Sequence, residues 1–368
     1  MLLAEPGPLP PIRSSAHPML IEVLGKIIEN WTVCSGMLPT VPRRVCSFLL
    51  LAFGISWGVA GIGYALGVRV AAGTGYTVVA VLCMFGPAVA AIIQQRRIDR
   101  AAWSGLGLAF KGIRWKYMVL TALVGTAIFP LGLLVAYVAG EGMGFLTFGK
   151  VEVSQQRMLV SITEMLAAAG VPESATPMLA MLKNIEIPGA VIMLGFQLIA
   201  IIGACTVNLP VMLGEELGWR GYLYSATSTW AVAPRVLFTG MVWGLWHAPL
   251  IAMGHNYPEH PVLGIGLMVV FCVLLALLFD WSRTRTRAVW GPCILHGILN
   301  GSASTYMLFA WGGHSLVNSP VGLAGFLALG LLGLVVLLGD RSYRQGLLTP
   351  AQLAVDEPGT PSFGSTEG

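Results

Sequence analysis

Residues 189–213 read GAVIMLGFQLIAIIGACTVNLPVML, and no side chain in that run is charged. About 20 apolar residues in helical conformation span a bilayer's hydrocarbon core, so this run is long enough to cross it. The next seven residues, 214–220, read GEELGWR and place two carboxylates and an arginine at the end of the run. Charged residues make up only 10% of the 368-residue chain, against about 25% in a typical soluble domain. The chain is 56% hydrophobic, with a mean hydropathy of +0.77. These values exclude an ordinary soluble enzyme and predict an all-α, polytopic membrane bundle. The formal net charge of +4 is small and gives no reason to expect a nucleic-acid partner. Six cysteines without a CxxC pair read as buried thiols rather than disulfides or a Cys-based zinc site.

Eight runs of suitable length follow along the chain, at about 46–67, 76–94, 117–140, 189–213, 232–253, 261–281, 288–311 and 320–339. With this division, Arg69, Lys150, Arg157 and Lys183 fall on one side and the other seventeen of the 21 Lys and Arg fall with the N-terminus. The positive-inside rule then places both termini in the cytoplasm, as expected for a plasma (inner) membrane protein. The division is a cytoplasmic arm (1–45), a transmembrane domain (46–340) and a disordered cytoplasmic tail (341–368). Residues 20–31 have the pattern of a short surface helix. The outer segment 141–188 contains a stretch in which Val151, Met158, Ile162, Met165 and Ala169 share a helical face, suiting an interfacial helix or a packed connection. Gly54/Gly58 and Gly297/Gly301 have the spacing of close helix contacts.

Ionisable groups inside a membrane are costly and usually functional. Here they fall into three groups: Glu215, Glu216 and Arg220; His247; and His296 with Asn300. Each group alone has a structural explanation. Glu216 and Arg220 are four apart and can pair along a helix, and His247 or the His296–Asn300 pair can clasp a neighbouring helix. Arg235 and Asp280 read as boundary residues, and His255, His260 and His314 as surface residues. Taken together, the three groups lie at compatible depths on three helices. They can line one cavity, expected to open to the cytoplasm, that holds water beside a carboxylate base. Two imidazoles can also bind a metal, and an amide can donate to an oxyanion.

At these residues the sequence resembles the CAAX protease and bacteriocin-processing (CPBP) family of intramembrane endopeptidases, also called abortive-infection proteins. Its three motifs are present in order: Glu215-Glu216-xxx-Arg220; Trp243-xxx-His247, with Trp where the family has Phe; and His296-xxx-Asn300. The resemblance covers about 189–311. It implies proteolysis within the membrane, reached from the cytoplasm and acting on a membrane-associated peptide or protein. Glu215 would activate water with help from His247, His296 and Asn300 would polarise the scissile carbonyl, and Glu216, Arg220 and Trp243 would support the site. The family is described both as zinc metalloproteases, for which His247 and His296 are the candidate ligands, and as glutamate-dependent enzymes. The chain lacks the HExxH pattern of a strong zinc motif, so the zinc question stays open on sequence. Two rivals predict no cleavage: a proton-coupled transporter, and a non-catalytic immunity or chaperone factor of the same fold.

Overall fold

The computed structural model describes residues 41–171 and 177–349. The expected helix at 20–31 and the tail beyond residue 349 lie outside these residues. The described helices belong to one compact unit beginning at Pro42. Helix α1 (Arg43–Ala65) packs along α2 (Thr74–Ile93), where Gly86 backs onto Ser56 and the Ser56 hydroxyl donates to the Cys83 carbonyl at 2.9 Å. Helix α3 (Trp115–Tyr137) leads through β1 (Lys150–Val151) to α4 (Gln155–Ala168) and the short α5 (Pro177–Leu182). The run 189–213 forms α6 (Gly189–Cys205) and the start of α7 (Leu209–Glu216), bent by 65° between them. Then come α8 (Val232–Trp246), α9 (Ala248–Ala252), α10 (Pro261–Thr286) and α11 (Trp290–Phe309). Strand β2 (Ala310–Trp311), α12 (Leu323–Gly339) and α13 (Arg341–Gln345) complete the order.

The fold is therefore the expected all-α membrane bundle, with a helix at each of the eight predicted positions. By length and composition α1, α2 extended to Ile98, α3 extended to Gly142 and α10 suffice to cross a membrane, and the bent pair α6–α7 makes a fifth. Helix α12 is apolar but has only 17 residues. Helix α8 stops at 15 residues and is continued by α9, while α11 is diluted by His296, Asn300 and its hydroxyl residues.

Small residues set the helix spacing. Gly240 and Gly244 bring α8 onto α10, where an added Cβ would lie 2.5 Å from the Cα of Val273 or Val269. Of the two glycine pairs singled out above, only one is used in this way. Gly297 and Gly301 press against Ala204 and Ala200 of α6, whereas Gly54 and Gly58 face open space.

The outer segment is helical at α4, whose first turn is capped by Ser154 Oγ accepting from the Arg157 N–H at 3.0 Å. Its buried face is Met158 and Ser161, not the longer stripe from Val151 to Ala169, of which Met165 is 39% exposed. Ser161 donates to the Leu308 carbonyl, and β1 pairs antiparallel with β2, so α4 is fastened to the far end of α11.

The opposite end is held by ion pairs. Arg235 and Asp280, read from sequence as boundary residues, form a two-point pair at 2.6 and 2.9 Å, and the Tyr343 hydroxyl adds a third bond to Asp280. Residues Arg341–Gln345, placed by the sequence in the expected disordered tail, instead form a helix tied back by Tyr343. Burial alone would raise the Asp340 carboxyl, but bonds from Arg285, the Tyr343 N–H and Trp281 outweigh it and hold the group below its usual range.

The glycine contrast is testable by unfolding purified protein in detergent. Gly297→Ala places a Cβ 2.7 Å from that of Ala204 and should cost about 1–3 kcal/mol, as overpacking does. Gly58→Ala meets nothing and should change stability by less than about 0.5 kcal/mol. Equal effects would contradict this packing.

Candidate active site

Helix α7 does not end at Glu216. It runs on through a π-helical stretch, Leu217–Leu223, every residue of which is buried. Such widened turns are rare and concentrate at functional positions. Here the stretch carries Arg220 back over Glu216, whose two oxygens each accept from Arg220 Nη1 at 3.1 Å. The guanidinium is sandwiched by aromatic faces, 4.2 Å from the ring centre of Trp243 and 4.3 Å from that of Phe279. Glu216 Oε1 also accepts from His296 Nδ1 at 2.8 Å. Glu216 is 0% exposed, and it is bound on one side by a cation and on the other by an imidazole.

Glu215 is placed differently. It is as deeply buried, at 2% exposed, but among the described residues it forms no ion pair. Its single hydrogen bond comes from the Trp243 indole N–H to Oε2, at 2.9 Å. Oxygen Oε1 is left without a hydrogen bond among the described residues.

Both histidines are oriented by what their Nδ1 atoms touch. His247 Nδ1 lies 2.8 Å from the Trp243 carbonyl. A carbonyl only accepts, so Nδ1 carries the proton and Nε2 keeps a lone pair. His296 Nδ1 donates to the Glu216 carboxylate. Trp243 joins these groups: its N–H holds Glu215, its carbonyl holds His247, and its ring meets His296 edge-on at 5.6 Å. Asn300 lies one turn beyond His296 and donates weakly to Met212 Sδ of α7 at 3.6 Å.

The structure thus brings Glu215, Glu216, Arg220, Trp243, His247 and His296 together and sets Asn300 beside them. It leaves His255 stacked against Tyr76 and His260 stacked on His314 at 5.9 Å. Two contributors carried no sequence signal. Phe279 lies within an apolar run, and Arg283, whose Nε donates to the Arg220 carbonyl at 2.8 Å, is in the sequence only one of the seventeen cations on the side of the N-terminus.

A catalytic zinc usually needs three protein ligands. Among the described residues, no three or more His, Cys, Asp or Glu side chains are gathered to hold a metal ion. His296 and Glu216 are engaged with each other. As arranged, the residues do not fit a zinc centre.

A family model described as Rce1-like, "Type II CAAX prenyl endopeptidase Rce1-like", matches residues 195–302. That span holds all three motifs. Among curated proteins, CAAX prenyl protease 2 of Methanococcus maripaludis is 32% identical over 92 residues, covering 23% of this chain and 34% of that protein. The chain thus spans about a third of the length of the curated relative it matches.

Trp243 has a measurable role that its neighbour lacks. The indole N–H of Trp246 is buried without a partner, so Trp246→Phe loses packing alone. Trp243→Phe also strips Glu215 of its donor, which should add about 1–3 kcal/mol of destabilisation. If the two substitutions unfold at the same denaturant concentration, the Trp243–Glu215 bond does not contribute.

Proposed function

We propose that this chain, whose residues 195–302 carry the Rce1-like domain of the CAAX protease family, is an intramembrane endopeptidase that cuts peptide bonds with water activated by Glu215. The observation that carries this reading is the unequal treatment of two adjacent carboxylates. Glu216 is saturated by Arg220 and His296, whereas Glu215 has one oxygen without a hydrogen bond among the described residues, in the cluster that also holds His247 and His296 around Trp243. A water at that oxygen gives up a proton as it attacks the scissile carbonyl, which is general-base catalysis. His247, held by the Trp243 carbonyl, takes part in moving that proton towards the leaving amine. The Asn300 amide N–H stabilises the oxyanion, a contribution of roughly 3–4 kcal/mol in comparable sites. His296 orients through Glu216.

The substrate is a membrane-associated peptide or protein. The seventeen-to-four distribution of Lys and Arg supports a cytoplasmic location for both termini and for the end of the bundle bearing Arg235, Arg283 and Arg285, in the plasma membrane. The arrangement of donors favours chemistry without a metal over the zinc alternative.

Three results test the reading in reconstituted membranes with a quenched fluorescent peptide. Glu215→Gln should lose at least ~100-fold in cleavage rate, the scale of general-base catalysis, at nearly unchanged thermal stability. Glu216→Gln should lose activity and stability together, because Arg220 is then left buried with a neutral partner. Dialysis against a chelator should leave the wild-type rate intact. Full activity in Glu215→Gln would remove the assignment, and a chelator-sensitive rate would restore the zinc alternative.

A further inference from the structure

Six Asp, Glu, Lys and Arg side chains are buried among the described residues: Glu215, Glu216, Asp280, Arg220, Arg235 and Arg283. Two ion pairs account for four of them, Glu216 with Arg220 and Asp280 with Arg235. The acid left over is Glu215. The cation left over is Arg283, in the last turn of α10, which is 9% exposed and forms no ion pair among the described residues. A cation taken out of water without a counter-charge is costly, and the acids at this end of the bundle are engaged elsewhere. Asp280, one turn earlier on α10, holds Arg235 at two points and the Tyr343 hydroxyl. Asp340 holds Arg285 and Trp281, and Asp99 accepts from the Tyr222 hydroxyl and the Gln94 amide.

The Arg283 guanidinium is fixed at its base and open at its tip. Its Nε donates to the Arg220 carbonyl at 2.8 Å, and its Cζ stands 4.6 Å from the ring centre of Tyr224. Arg235 approaches the same ring at 4.9 Å, which adds a second cation to the surroundings. Gly107, at φ +71°, lies so close that an added Cβ would be 2.5 Å from Nη2. Neither terminal nitrogen makes a hydrogen bond among the described residues, yet neither belongs to the fully enclosed groups that lack a partner, so both reach the surface.

That surface is built by residues 96–116, which join α2 to α3 and carry six cations and one acid, Asp99. They are fastened over the end of α10, where the Arg114 N–H donates to the Thr286 carbonyl and the Gly107 carbonyl accepts from the Val289 N–H. Arg96, Arg97, Arg100, Lys111 and Lys116 are exposed. Interleaved with them are Trp103, Phe110 and Trp115, exposed by 45, 69 and 67%. Aromatic rings among cations suit the boundary between membrane and water, where anionic headgroups collect.

We infer that Arg283 anchors an anion site at the basic end of the bundle, occupied by the phosphate group of an anionic lipid from the adjoining leaflet. A guanidinium's planar fork matches two phosphate oxygens, which an ammonium does not. The exposed cations of 96–116 draw such lipids to the site, and the three aromatic side chains contact their apolar part. Free phosphate has the same oxygens but nothing for those rings to meet. The site is independent of whether the chain cuts peptides.

Native mass spectrometry of the full chain in neutral detergent tests the site. The protein is titrated with phosphatidylglycerol, with phosphatidylcholine of the same acyl chains, and with inorganic phosphate. Wild type should hold one phosphatidylglycerol about tenfold more tightly than phosphatidylcholine, the scale of one hydrogen bond to a charged group. Arg283→Gln should lose this preference, and Arg283→Lys, which keeps the charge without the fork, should bind phosphatidylglycerol several-fold more weakly than wild type. Arg97→Gln, which removes an exposed cation, should keep most of the preference. The lysine variant decides the matter if the glutamine variant does not fold. An unchanged preference in either Arg283 variant overturns the site, as does an equal loss in Arg97→Gln, which would mark a diffuse surface attraction. Displacement of the lipid by millimolar inorganic phosphate overturns the lipid as occupant.

Discussion

A carboxylate and a guanidinium with 0% and 2% exposure stand at the centre of a helix bundle that is otherwise almost free of charge, and the other site contacts are arranged around that pair. Removing two ions from water costs several kcal/mol each, which their attraction repays only when geometry is good and the remaining hydrogen-bonding groups are met. Here α8 and α10 supply the aromatic faces of Trp243 and Phe279 on either side of Arg220, and α11 supplies His296 to Glu216. One helix alone would hold the pair at its i,i+4 spacing. Stabilising it at this depth takes four helices, and this requirement fixes where α8, α10 and α11 meet α7.

Because Glu216 absorbs the available cation, Glu215 is left with a neutral donor. The Trp at position 243, where the family that the sequence resembles has Phe, is then more than an aromatic wall. A phenyl ring could accompany Arg220 and His296, but it has no N–H to offer Glu215. The same residue's carbonyl sets the tautomer of His247, so a single side chain and its own backbone orient two of the proposed reacting groups. Outer contacts of this kind commonly decide whether a reactive group points the right way.

The bundle was legible in the sequence because span length and the absence of charge are dictated by the bilayer itself. The three motifs were legible because ionisable residues are rare inside spans. Less visible was the break at 206–208, since an apolar run looks the same whether its helix is straight or bent, and only Pro210 hints at a restart. Gly54/Gly58 and Gly297/Gly301 have the same spacing, yet only the second meets a neighbour, because contact depends on which helix lies opposite. The pairing of Arg235 with Asp280 joins positions 45 apart on different helices, and spacing along a chain carries no information about that. The helix at Arg341–Gln345 was likewise hidden, since its anchor is the distant Asp280.

The dependence of the site on its buried ion pair is most directly tested by a double-mutant cycle in thermal or denaturant unfolding. Glu216→Gln and Arg220→Met are made singly and together, and Glu215→Gln is combined with Arg220→Met for comparison. Each single change at the pair should cost roughly 3–5 kcal/mol, because it leaves an uncompensated buried charge. The Glu216–Arg220 double variant should lose far less than the sum, whereas the combination with Glu215→Gln should be close to additive. Additive losses at Glu216 and Arg220, or strong coupling of Arg220 to Glu215 instead, would contradict the account.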